Sequence, residues 1–83
     1  MDDRRLGVIG VVLEDPAAVQ AELNLYISEA GEIIVGRMGI PYRERNVALL
    51  ALLVDGTADQ INTLTGRLGS LPGTSVRAAL AKK

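Results

Sequence analysis

Two groups of side chains in this sequence could do chemistry. Glu14 and Asp15 are adjacent carboxylates, while Tyr42 and Arg43 lie in the charged stretch PYRERN. Paired carboxylates can act as general acid and base, but neighbours on one turn rarely converge on the same bond. An arginine beside a tyrosine can instead bind an anion or a partner protein. The residue types therefore favour binding over catalysis, and we predict no catalytic residue and no enzymatic activity.

Arg37 is a further candidate because it interrupts the apolar stretch IIVGRMGI. Side chains of an extended strand alternate between two faces, and we expect Ile34, Met38 and Ile40 to meet the helices. Arg37 then faces a partner copy, where its charge needs a carboxylate, a carbonyl or an anionic ligand. Pairing across a subunit contact and binding of an anionic ligand are both open interpretations.

The composition excludes several kinds of site. The 83 residues contain no Cys and no His, which removes disulfides, thiol catalysis and the commonest transition-metal ligands. Nine basic residues nearly balance ten acidic ones, for a net charge of −1, so no basic surface for nucleic acid is expected. We therefore predict no metal, no cofactor and no direct contact with nucleic acid.

The apolar runs are too short for a membrane protein. The longest, Leu6–Leu13 and Val47–Val54, each have eight residues, whereas a membrane-spanning helix needs about 20. The first residues, MDDRRLGVIG, lack the long apolar segment and cleavage site of a secretory signal. We expect a cytoplasmic protein with no membrane partner.

Two helices are predicted from their starting residues. Asp15 can cap the first helix, Pro16 suits its first position, and Gly31 ends it. Thr57 and Gln60 have the spacing of a capping box that begins the second helix. Strands are predicted at Leu6–Leu13, Ile33–Ile40, Val47–Val54 and Thr74–Leu80.

The resulting order, βαββαβ, predicts an α+β fold of the ferredoxin-like class. Right-handed crossovers place both helices on one face of a four-stranded antiparallel sheet, with the first and third strands at its centre. We expect one domain that spans residues 1–83.

Both central strands are apolar on both of their faces, although helices can cover only one. A bare face of this composition exposes about 400 Å² of apolar surface, and hiding it contributes about 10 kcal/mol before association costs. We therefore expect a second copy to cover it, in a homodimer or homotetramer. The residues predicted for this interface are Ile9, Val11, Leu13, Leu50 and Leu52.

These elements resemble the small ACT-like regulator family of the iron-only hydrogenase system. The matching segments are VVLEDPAAV, GRMGIPYRERNVALLALLVDGT and INTLTGRLGSLPGTSVRAAL. The resemblance implies an ACT-like fold related to the ligand-binding domain of nickel-responsive repressors, which pairs through its sheets and binds small effectors near subunit contacts. The His and Cys that bind nickel in those repressors are absent, so nickel sensing by that route is not expected.

The residues and the resemblance together predict a non-catalytic regulatory or sensing module. We expect a small polar effector to bind near Glu14, Asp15, Arg37, Tyr42 and Arg43. The alternative is an adaptor or scaffold that binds a protein partner and has no small ligand.

Overall fold

The chain follows the βαββαβ order that the hydrophobic pattern predicts. The computed structural model describes residues 3–81. Its elements are β1 (Arg5–Leu13), α1 (Pro16–Glu29), β2 (Ile34–Tyr42), β3 (Val47–Gly56), α2 (Ala58–Gly69) and β4 (Thr74–Leu80), with 3₁₀ turns at Gly31–Ile33 and Arg43–Arg45.

The four strands form one antiparallel sheet in the order β2-β3-β1-β4. The predicted central pair, β1 and β3, is therefore confirmed. Both helices pack on the same face of the sheet, and this face holds the hydrophobic core. The helices contribute two apolar stripes to it, Val19, Leu23 and Ile27 from α1 and Ile61, Leu64 and Leu68 from α2.

The two helices begin in different ways. The capping box of α2 is present: the Gln60 backbone N–H donates to Thr57 Oγ1 at 3.1 Å, and the Thr57 N–H donates to Gln60 Oε1 at 2.9 Å. The side-chain cap predicted for α1 is wrong, because the Asp15 carboxylate accepts no hydrogen bond from the first turn. With φ at −135° and ψ at 78°, the Asp15 backbone departs from the extended conformation typical of a capping residue.

The five residues predicted for the subunit interface lie in the core of their own chain, so that assignment is wrong. Each is at most 7% exposed. They face the helices, because Ile9 pairs with Leu52 and Val11 with Leu50 in the register of β1 and β3. The five are Ile9, Val11, Leu13, Leu50 and Leu52.

The other side of the sheet, which we call the open face, is also apolar. It carries nine of the ten large hydrophobic side chains that are exposed in the described part of the chain. In its middle row, two small residues, Gly10 and Ala51, pair across the central strands. The nine exposed side chains are Leu6, Val8, Val12, Val35, Met38, Ile40, Tyr42, Leu49 and Leu53.

A β-bulge between Ile34 and Gly36 decides which side chains of β2 reach the open face. Ile34 pairs with Val54, but after the bulge Gly36 pairs with Leu53 and Arg37 with Leu52. The extra residue reverses the alternation, so Met38 and Ile40 face away from the helices. The prediction that these two side chains meet the helices together with Ile34 is therefore wrong.

The glycines of α2 and β3 should respond oppositely to alanine substitution. A Cβ at Gly56 would lie 2.9 Å from Ile33 Cγ2 and 3.0 Å from Gln60 Oε1, whereas nothing lies within 4 Å of one at Gly66. Gly56→Ala should lower the free energy of unfolding by about 1–3 kcal/mol. Gly66→Ala should raise it by up to about 1 kcal/mol because alanine favours the helix. Urea unfolding at one protein concentration measures both; a stabilising Gly56→Ala would contradict the packing described here.

Candidate functional site

Two adjoining clefts lie beside α1 and the β2–β3 hairpin. The first, which we call the hairpin cleft, has a volume of about 490 Å³ and includes Glu14, Asp15 and Arg43 among its lining residues. The second, which we call the edge groove, has a volume of about 320 Å³ and runs between α1 and β2. Pro16 and Gln20 line both. The candidate site is therefore a continuous surface on the helix side of the sheet.

The backbone holds Glu14 and Asp15 at the mouth of the hairpin cleft. The Glu14 N–H donates to the Gly73 carbonyl at 2.8 Å, which ties the turn after β1 to the turn before β4. Gly73 has a φ of 64°, a conformation that favours glycine. Both carboxylates are exposed on this anchored turn.

A tight turn positions Arg43 at the hairpin cleft. Residues Arg43–Arg45 form one 3₁₀ turn, and the Asn46 N–H donates to the Arg43 carbonyl at 3.2 Å. Asn46 has a φ of 55°, and asparagine tolerates this left-handed conformation better than most residues. The structure thus brings Arg43 to the same cleft as the two carboxylates.

Tyr42 does not line either cleft. Its ring belongs to the open face, and its hydroxyl donates to Glu44 Oε2 at 3.2 Å. Four of the predicted ligand-binding residues therefore lie along the two clefts, while the fifth lies on the other side of the sheet. Tyr42 and Arg43 are nevertheless consecutive, so the hairpin links the two sides.

Arg37 lies in the edge groove and not on the open face, so its predicted position against a partner copy is wrong. The bulge in β2 turns its side chain toward α1, where Nη2 donates to Asn24 Oδ1 at 2.9 Å. Asn24 and Gln20, which are one helical turn apart, also line this groove and were not predicted from the sequence. Their spacing of four, next to the buried stripe of α1, was the available signal.

A separate cluster joins the two helices away from these clefts. Arg67 Nη1 pairs with Glu29 Oε1 at 2.9 Å, and its guanidinium lies 5.7 Å from the centre of the Tyr26 ring. The two side chains of the ion pair are about half exposed, so water weakens the attraction. Through Arg67, which contacts both Glu29 and the Tyr26 ring, this cluster links the end of α1 to α2.

Within residues 3–81, no three His, Cys, Asp or Glu side chains are grouped so that they could hold a metal ion. Over the same residues, neither helix is long and apolar enough to cross a membrane.

Comparison with protein families gives one match that spans most of the chain. Residues 5–78 match the TM1266-like family, described as "Iron-only hydrogenase system regulator, putative". A comparison with curated protein sequences found no match.

Solved structures share the fold. The uncharacterized protein TM1266 from Thermotoga maritima is 30% identical, with a TM-score of 0.90 over 95% of this chain and 99% of that one. The ACT domain of GTP pyrophosphokinase from Chlorobium tepidum is 17% identical, with a TM-score of 0.71 over 99% and 91%. CPII from Thiomonas intermedia K12, a nitrogen regulatory PII-like protein bound to ADP, AMP and bicarbonate, is 11% identical, with a TM-score of 0.55 over 95% and 92%.

The absence of a side-chain cap at Asp15 can be tested against the intact capping box. Thr57→Ala removes the hydroxyl that accepts from Gln60 and should cost about 1 kcal/mol of unfolding free energy. Asp15→Ala removes no cap hydrogen bond and should change it by less than about 0.5 kcal/mol. Denaturant unfolding of both variants at matched concentration makes the comparison. An equal loss for the two would place the Asp15 carboxylate over the start of α1.

Proposed function

The chain belongs to the TM1266-like family, described as "Iron-only hydrogenase system regulator, putative". We propose that it is a non-catalytic regulatory module that assembles through the open face of its sheet. We further propose that a small polar effector binds in the clefts beside the hairpin. The single observation that carries this proposal is the open face, on which nine large apolar side chains are exposed.

A surface of this kind is unusual on a protein that stays monomeric. Contiguous apolar patches of more than a few hundred Å² commonly mark a protein interface.

A second copy suits this face better than an unrelated protein. Sheet faces pack well against each other at about 10 Å, and the small residues Gly10 and Ala51 let two sheets approach at the middle row. Arg77 also lies in this row, opposite Gly10, on the edge strand β4. A two-fold axis parallel to the strands would place β4 of one copy over β2 of the other. The two Arg77 charges would then stay apart.

The hairpin offers a physical connection between effector and assembly. Arg43 lines the hairpin cleft and Tyr42 lies on the open face, so a ligand that shifts the hairpin also shifts a side chain at the subunit contact. Binding and assembly become coupled when the ligand prefers one position of that turn. The PII-like protein CPII, which shares this fold, is described as bound to nucleotides and bicarbonate, and this supports the fold as a carrier of small ligands.

A charge introduced on the central strand β3 of the open face should abolish assembly. The wild-type chain should elute at twice 8.8 kDa or a higher multiple, and Leu53→Glu should give the 8.8 kDa species because its carboxylate cannot be buried unpaired. Leu25→Glu is the matched control, since Leu25 is 55% exposed on α1 and Leu53 is 48% exposed on the sheet. Size-exclusion chromatography with light scattering measures the masses. A wild-type chain of 8.8 kDa at micromolar concentration would disprove the proposed assembly.

A further inference from the structure

The edge groove is a small, solvent-exposed groove with one charged side chain. Among the described residues that line it, Arg37 alone is charged, and its guanidinium is bonded to the neutral Asn24 amide at 2.9 Å. This arrangement differs from the hairpin cleft next to it, whose lining residues include two carboxylates, Glu14 and Asp15, as well as Arg43. A negatively charged ligand is therefore attracted to the edge groove and meets no carboxylate on its walls.

The hydrogen-bonding groups of the groove are mainly donors. One guanidinium N–H is used on Asn24 Oδ1, which leaves further N–H groups of Arg37 and the amino group of Asn24 for a ligand. Gln20, one turn earlier on α1, adds a second amide to the same wall. Planar guanidinium groups bind carboxylates through two parallel hydrogen bonds. The polar end of the groove thus suits an acceptor with two oxygens.

The rest of the groove is apolar. Its floor is built from buried core side chains, Leu13, Leu23 and Leu50. Gly39 pairs with Leu50 in the register of β2 and β3, so the missing side chain leaves room directly above this floor. A Cβ at Gly39 would lie 3.5 Å from Leu50 Cδ1, which is ordinary contact. A methyl group at this position would therefore contact the core without overlapping it.

We propose that the edge groove binds a small organic carboxylate with an apolar body. The carboxylate accepts hydrogen bonds from Arg37 and Asn24, and the apolar body lies on the floor where Gly39 leaves space. The groove volume of about 320 Å³ is at the small end of the range for ligand sites, as expected for a site that binds a small molecule. The proposal rests on the proposed sensing function and names the chemical class of its effector.

The proposal is tested by NMR titration of the ¹⁵N-labelled full chain with 4-methylpentanoate. Saturable shifts should appear at the backbone amides of Arg37 and Gly39 and at the side-chain amide of Asn24. The neutral isostere 4-methylpentanamide and inorganic phosphate should each bind at least tenfold more weakly. Equal binding of the amide would overturn the role of the charge, and tighter binding of phosphate would overturn the role of the apolar floor.

Three variants locate the site. Arg37→Gln should weaken 4-methylpentanoate at least tenfold, and Gly39→Val should do the same by filling the groove while it leaves the charge in place. Arg45→Gln is the charge-matched control, because Arg45 is exposed on the hairpin and does not line the groove. A dispersed spectrum verifies folding. Unchanged affinity in Arg37→Gln, or no saturable shift in the wild-type chain, would overturn the proposal.

Light scattering on the same samples separates this inference from the proposed assembly. If the chain assembles but does not bind 4-methylpentanoate, the carboxylate site is disproved and the proposed assembly is retained. This is the result expected of an adaptor that has no small ligand. A chain that binds the carboxylate through Arg37 but stays at 8.8 kDa supports the site and removes self-association.

Discussion

The structure depends on one constraint, which is that both faces of the central strands need to be shielded from water. β1 and β3 present apolar side chains to both sides of the sheet, and exposure of either side to water is unfavourable. The two helices satisfy one side with a core that includes Ile9, Leu52, Ile61 and Leu68. The other side stays open within one chain, and this is the observation behind the proposed assembly.

Much of the fold follows from the sequence because its signals are local. Thr57 and Gln60 mark the start of α2, the stripes of both helices are periodic, and β4 has the predicted limits. The side of the sheet that meets the helices could not be predicted in this way. Alternation divides β1 and β3 into two sets, but both sets are apolar, so hydrophobicity cannot tell the core from the open face.

The candidate site was predictable where it depends on turns and unpredictable where it depends on the bulge. Glu14, Asp15 and Arg43 come together because one turn and one hairpin meet at the same end of the sheet. Arg37 was assigned to the wrong side because one extra residue in β2 reverses the alternation, and no single residue type announces such an insertion. The bulge thereby places the charge of Arg37 in the edge groove and not on the open face.

The irregularity of β2 also bears on how far association can proceed. β2 is an edge strand, and a regular edge invites further strands to add to it, which leads to fibrils. Its bulge disturbs the hydrogen-bonding pattern near Ile34, and Pro41 has no backbone N–H to donate to an added strand. The bulge and Pro41 therefore make β2 a poor template for the addition of strands from other chains, although the open face beside it is apolar.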